Sequence, residues 1–406
     1  MNLHAPALCR IRAITAFLSL SPDQTTWQHA LTDAKRQCDR LAAAFARADY
    51  TVQSVRIVAN PFGEYLDTTS LAAAKQGLAH IQRILSALNQ NGLRIRFAIG
   101  EARSATEIAL LPELIRDYGD LANACVNIAA DADGIPDHAQ IARCTAAVQK
   151  IARITPRGEG NFNFTVNYNC PPLIPYFPAG YHHDAHGSLV VGLETPDLLA
   201  AALCALNDQP ADPGDYQRAA YHAMHRALQH HTDAVQAIIA TALDDGWHYA
   251  GMDTSAAPSK NCTSMAEIYR LLRVPHFGAS GSIAASALLT RVFKTLNNVR
   301  AIGFSGLMLA VTEDQGLADA SRDNTFDLRA LLTYSSVCGI GLDTVPIPGD
   351  TPAEKINAIM ADTAAMAYRL NKPLTVRLFP VPGLNAGDIT RFTSDDLCNC
   401  AVLAVP

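Results

Sequence analysis

Short apolar runs alternate along the chain with longer amphipathic stretches, the pattern of strands and covering helices in an α/β fold. RIRAITAFLSL predicts a strand, and SPDQ after it predicts a helix start, with Ser21 as cap, Pro22 in the first turn and Gln24 closing a capping box. Helix TTWQHALTDAKRQCDRLAAAFARAD, strand TVQSVRIVAN, helix SLAAAKQGLAHIQRILSALNQ and strand LRIRFAIG follow, then a short helix around EIALLPELIRDY and strand LANACVNIAA. Each connection before Pro156 is long enough for a parallel crossover. From Gly158 the texture changes to GEGNFNFTVNYNCPPLIPYFPAGYHHDAHG, dense in Asn, aromatics, Pro and His, which predicts a strand entering a structured loop. A long helix is predicted from Asp215 to Asp245, then WHYAGMDTS, a helix from Ser264, one from Ser280 to Asn297, strand AIGFSGLMLAV and helix TFDLRALLTYSS. Strand GLDTVPI, helix TPAEKINAIMADTAAMAYRLN and strand PLTVRLFPV complete the pattern.

No stretch rich in Gly, Ser or charge divides the chain, so residues 1–406 are expected to form one domain. Without G-x-G-x-x-G after the first strand, and with polar residues gathered after the later ones, a closed α/β barrel fits better than a doubly wound sheet. The eight-stranded barrel is the generic form that the pattern alone suggests.

Composition narrows the function classes. Hydrophobic residues at 49% and charged residues at 17% describe a folded protein and exclude disorder. A net charge of -6 gives no cationic footprint for nucleic acid or an anionic membrane. The N-terminal MNLHAPALCR lacks a signal-peptide pattern, and uncharged stretches fall short of the ~18–20 apolar residues of a membrane helix, so a cytoplasmic location is expected. Ten cysteines without C-x-x-C read as reduced, mostly buried thiols, with Cys398 and Cys400 as alternate positions of a strand.

Several strings then become specific. FNF with PPLIPYFPAGYH, GMDTS followed by Ala257-Pro258, IGFSGLMLAVTEDQGLA, LLTYSSVCGIGLDTVPIPGDT and NKPLTVRLFPVPGLNAGDIT resemble the signature segments of the family called domain of unknown function 711. The resemblance is ordered over about residues 160–392 and is a matter of pattern before that. It implies the ten-stranded α/β barrel of pyruvate formate-lyase and ribonucleotide reductase, and brings no settled activity with it. Radical chemistry is not carried along: Gly383 and Gly387 in PVPGLNAGD do not match an Arg-Val-x-Gly-Tyr glycyl loop, no adjacent Cys-Cys pair is present, and Asp184-Ala-His186-Gly fails the cobalamin pattern.

The candidate residues are weighed against plainer roles. Cys338 in SSVCGIGLD is a nucleophile candidate, flanked by glycines, against the simpler reading of a small buried thiol; on the first reading it should be alkylated fastest of the ten. Asp343 is a candidate acid/base group, able to serve proton transfer or cation binding, and Glu313 another; Glu313 and Asp253 lie where an apolar strand ends, as ligand sites of parallel folds do, and Asp253 and Ser305 are candidate substrate-binding residues. Asp350 is set aside because Thr351 and Glu354 predict a capping box, and Glu267 because Ser264 does the same. Arg377 interrupts an apolar strand, and an interior arginine requires a carboxylate or an anionic ligand. His182 matches the Tyr-His position of the resembled segment and is a catalytic candidate; His183 and His186 lie outside it, and the neighbouring Gly and Pro argue against a helical zinc pair. His222, His225, His230 and His231 are expected at the surface of the long helix.

These observations predict a cytosolic enzyme that binds a small anionic metabolite inside the barrel and uses acid/base or thiol chemistry, or a non-catalytic binding or regulatory protein on the same scaffold. His182, Asp253, Glu313, Asp343 and Arg377 are expected to meet at one end of the barrel. Cofactor and metal are unknown at this level, and a homo-oligomer stays open.

Overall fold

The computed structural model describes residues 2–184, 186–207, 215–243 and 246–406. Among the described residues, five strands alternate with helices in the first half: β1 (Arg10–Leu18), β2 (Val55–Ala59), β3 (Ile95–Glu101), β4 (Asn123–Ile128) and β5 (Phe164–Tyr168). Four follow in the second half: β6 (Ser188–Glu194), β7 (His248–Asp253), β8 (Gly341–Pro348) and β9 (Leu374–Val381). The nine pair into one sheet in the order β7-β6-β1-β2-β3-β4-β5-β9-β8. Neighbours are parallel except at two seams, where β6 runs antiparallel to β1 and β9 antiparallel to β5.

The two edges of that sheet, β7 and β8, are joined by residues 301–310. Ala301 bridges Met252 of β7 and Ala310 bridges Asp343 of β8, both in parallel sense. This tenth segment closes the ring, giving an α/β barrel built of two parallel halves set antiparallel to each other. The segment was expected as a continuous strand, AIGFSGLMLAV, and is not one. Gly303 (φ 62°) and Ser305 (φ 38°) adopt left-handed backbone, which cannot continue a ladder. Gly306 also lies against the Gly339 backbone, where an added Cβ would sit 2.7 Å from the Gly339 Cα.

Apart from the exposed start of β7 at His248, the strands are largely buried on both faces, as barrel strands must be. β1 sends Ile14, Ala16 and Leu18 outward into the core shared with helix Trp27–Arg47, while Thr15 and Phe17 point inward. The loop after β5 turns into the barrel as a plug: Ile174 is fully buried, the Pro175 carbonyl accepts from Thr15 Oγ1 (3.4 Å), and Tyr176 donates to the Leu193 carbonyl (2.9 Å).

Several local expectations change. The cap before the first long helix is Asp23, which accepts from the Thr25 N–H, rather than Ser21. Thr351 donates to the Pro348 carbonyl (2.7 Å) and makes no box with Glu354, and Glu267 pairs with Arg270 although Ser264 does cap its helix. Strand β6 and helices Pro196–Asn207 and Gln315–Arg322 were not anticipated. The long helix runs Tyr216–Ala242, and its expected end at Asp245 lies outside the described residues. His231 is buried rather than at the surface, its ring between the Tyr50 hydroxyl (2.8 Å) and the Leu3 carbonyl (2.9 Å). Cys398 and Cys400 are buried but belong to no strand, and all ten thiols are free. Among the described residues no helix is long and apolar enough to cross a membrane.

Candidate functional site

Register decides which side chains share the barrel interior. Thr15 of β1 pairs with Arg56 of β2, and Arg56 pairs with Arg96 of β3. Because strand side chains alternate, the neighbours Val55, Ile57, Ile95 and Phe97 face the outer core and the two arginines face inward. On the far side of the ring, Val376 of β9 opposes Val166 of β5, so Arg377 lies at the level of Thr165. Two β-bulges aim further charges into the same level. Ile11 and Ala13 pair with consecutive β6 residues, which leaves Arg12 as the extra residue. In β8 the register slips between Leu342 and Val345, with Thr344 at φ 48°, and Asp343 is thereby directed at Arg377. Left-handed backbone at a β-branched residue is strained, and here Thr344 is held by its hydroxyl, which accepts the Thr312 N–H (3.2 Å).

The arginines differ in their partners. Arg377, 5% exposed, donates from Nε to Asp343 (2.7 Å), from Nη2 to Glu313 (2.5 Å) and from Nη1 to the Phe162 carbonyl (3.2 Å), with its guanidinium 4.9 Å from the Phe162 ring centre. Arg12 lies between Glu194 (3.7 Å) and Glu313 (4.0 Å) and donates to Gln53 (3.0 Å). Arg96 pairs with Asp396 (2.7 Å), on the C-terminal segment that crosses this end. Arg56 has no such partner. Its contacts are the Pro175 carbonyl (3.0 Å), the Ser54 hydroxyl (3.3 Å) and the face of Phe177 (5.0 Å), and among the described residues it forms no ion pair.

These groups line a cavity of about 70 Å³, counted as space for the centres of water-sized molecules, whose apolar walls include Phe162, Phe177, Phe304, Met308 and Ile340. Burial, with Arg12 and Arg96 nearby, pushes the Arg56 guanidinium down to about 9, so it still carries its charge at neutral pH. Burial pushes the Asp343 carboxyl up to about 6, against the pull of Arg377 and helped by the neighbouring Glu313 charge. A carboxyl in that range exchanges protons near neutrality, which suits general acid/base work.

Of the expected site residues, Glu313, Asp343 and Arg377 therefore converge at this cavity. Asp253 and Ser305 do not line it. Asp253 is fully buried and accepts from Ser255 N (3.0 Å) and Oγ (2.6 Å), Phe304 N (2.8 Å) and Ser305 N (3.1 Å). It anchors the tenth segment, and through it the Phe304 wall. His182 is fully buried at the opposite end, beside Phe17 (ring centres 6.2 Å apart). Phe17 is five residues along β1 from Arg12, roughly 16 Å. Cys338 is 1% exposed in the outer core, where its sulfur accepts the Gly341 N–H (3.3 Å), and it does not line the cavity. No group of three or more His, Cys, Asp or Glu side chains among the described residues is arranged to hold a metal ion. The residues missed in the sequence are Arg12, Arg56 and Arg96, each of which interrupts a strand as Arg377 does.

Comparison with known proteins places this geometry among proteins without assigned chemistry. A family profile described as "Uncharacterised ACR (DUF711)" matches residues 5–394. A "UPF0210 protein" of Pyrobaculum islandicum is 28% identical over 363 residues, covering 87% of this chain and 78% of that one. Another from Oleidesulfovibrio alaskensis is 30% identical, covering 74% and 66%. A third from Pyrobaculum arsenaticum is 33% identical over 60% of this chain, and the match spans about half, 55%, of that relative's length. Among solved structures, the anaerobic ribonucleotide reductase of Thermotoga maritima, crystallised with citrate in its active site, aligns with a TM-score of 0.36 at 10% identity, covering 92% of this chain and 81% of that one. The barrel described above rests on strand order and closure, not on that likeness.

Proposed function

We propose, for a chain that belongs to the uncharacterised DUF711 family, that the barrel binds a small anionic metabolite in the cavity lined by Arg12, Arg56, Arg96 and Arg377, with Asp343 and Glu313 as the acid/base pair. The observation that carries this reading is Arg56. A guanidinium 8% exposed, facing a cavity and without a carboxylate partner among the described residues, is costly unless an anion joins it. Arg12 and Arg96 add positive potential on the same wall, and the aromatic side chains beside it lower the local dielectric, which strengthens each of these interactions.

An anion entering beside Asp343 raises the carboxyl further, so binding at neutral pH should draw in a proton. The test is calorimetry with sodium salts of acetate, lactate, malonate and phosphate, each in two buffers of different ionisation enthalpy. Saturable binding that Arg56→Met removes, with proton uptake that Asp343→Asn removes, is the expected result. Binding unchanged in Arg56→Met would refute the anion site. Arg377 already engages an oxygen of each acid, an arrangement that also serves a pure binding protein; binding without proton uptake would select that second reading.

A further inference from the structure

The charges lining the cavity say more than that an anion binds. Four arginines (Arg12, Arg56, Arg96, Arg377) face four carboxylates (Asp120, Glu313, Asp343, Asp396). Arg377 is committed to Asp343 and Glu313, Arg96 to Asp396, and Arg12 is shared between Glu194 and Glu313. Asp120 lies by Arg94 (3.6 Å), and Glu313 acts on Arg56 only at a distance, so among the described residues Arg56 is the arginine of this wall with no carboxylate in contact, a place for a single anionic group. The opposite wall carries Glu313 and Asp343, and a second anionic group placed there would meet like charge. A hydroxyl or ammonium there would instead find acceptors.

Space sets the size. A cavity of 70 Å³ by that measure takes a compact ligand of a few heavy atoms rather than an extended one. Phe177 lies over Arg56 and Phe162 over Arg377, so the body between the two polar ends is held by apolar surface.

Resting on the anion-site reading above, we infer that the ligand is a compact monocarboxylate bearing a hydrogen-bond donor beside its carboxylate, the class of small 2-hydroxy and 2-amino acids. Its carboxylate sits on Arg56 and its hydroxyl or amino group on the Glu313–Asp343 pair. Dianions and inorganic phosphate are excluded by the acid wall, and plain monocarboxylates lack the second contact.

The experiment is calorimetric titration of the full chain with lactate and alanine, malonate and phosphate as polyanions, and propionate as the acid lacking a donor. Lactate or alanine should bind at least about tenfold more tightly than malonate, phosphate or propionate, the worth of one hydrogen bond to a charged group. Asp343→Asn should narrow the gap between lactate and propionate while leaving propionate binding in place, and Arg56→Met should abolish binding of every acid. Malonate or phosphate matching lactate in the wild type, with both lost in Arg56→Met, would overturn the ligand class and leave the anion site standing. Binding that Arg56→Met does not alter, or silence toward every anion tested, would overturn the anion site itself.

Discussion

Replacing Arg377 with Met removes the cation that holds both acids of the site while keeping an apolar side chain of similar reach. In the folded protein Asp343, with a side chain only 6% exposed, loses a 2.7 Å charged hydrogen bond, and Glu313, 15% exposed, loses one of 2.5 Å but keeps Arg12 at 4.0 Å. Breaking a buried pair by deleting one partner costs about 3–5 kcal/mol, mostly because the other charge stays behind unpaired. Asp343 has an escape, which makes the cost depend on pH. Its folded-state carboxyl, at about 6, lies above its ordinary 3.8, so the folded state binds more protons than the unfolded one between those values. On this group's account stability is greatest below about pH 4 and falls as pH rises through 6, by about 3 kcal/mol at 1.36 kcal/mol per unit. Without Arg377 the carboxyl moves higher still, and the fall continues past neutrality.

Urea unfolding of wild type and Arg377→Met at pH 7.5 and pH 5 tests this directly. The variant should lose most of the about 3–5 kcal/mol at pH 7.5 and much less at pH 5, where Asp343 is protonated in both proteins. Adding Asp343→Asn to Arg377→Met should recover part of the loss at pH 7.5, because a neutral amide needs no counter-charge. An equal loss at both pH values, or a double variant no more stable than the single one, would refute the reasoning.

Two other outcomes are expected. Brief iodoacetamide treatment of the native protein at neutral pH, followed by peptide mapping, should label exposed Cys204 first, with half-buried Cys262 slow because burial pushes its thiol up to about 12, and Cys338 unmodified; labelling of Cys338 at the rate of Cys204 would show that its packing opens readily. Asp396→Asn should free Arg96 and so supply a second arginine with no carboxylate in contact, improving malonate binding by about fivefold at low salt and less as salt is added, since the pair is partly exposed; unchanged malonate affinity in calorimetry would show that Arg96 does not face the ligand.

The strands of the first half were legible because each is a short apolar run set apart by an amphipathic helix. β6 was not, since SLVVGLE lies between an irregular loop and the apolar helix PDLLAAALCALN, and over such a stretch periodicity does not separate strand from helix. The closing segment looked like a strand by its apolar content, and Asp253 breaks it by gathering the N–H groups of Phe304 and Ser305. Arg377 stood out because apolar residues surround it on both sides. Arg56 in VRIVA meets the same criterion, and applying it evenly would have found that residue. Arg12 and Arg96 are harder to see, each preceded two residues earlier by another arginine, the pattern of a strand beginning in solvent.

Ring closure turns those solvent-like beginnings into a binding wall. Because β6 is antiparallel to β1 and β9 to β5, the amino ends of the first five strands share one mouth of the barrel with the carboxyl ends of the others. The rule that ligands gather at carboxyl ends therefore succeeds for half of the barrel at a time. It points to Glu313, which follows the closing segment of the second half, while Asp253, at the carboxyl end of β7, meets the rule and is spent on the N–H groups of the closing segment; His182 follows the carboxyl end of β5 and lies at the other mouth. The arginines Arg12, Arg56 and Arg96 come from amino ends, where a singly parallel barrel would hold only stabilising residues. Cations from one half thus meet carboxylates from the other across the antiparallel seams, and among the described residues Arg56 has no carboxylate in contact because the residue it pairs with across β1 is Thr15 and the one across β3 is another arginine.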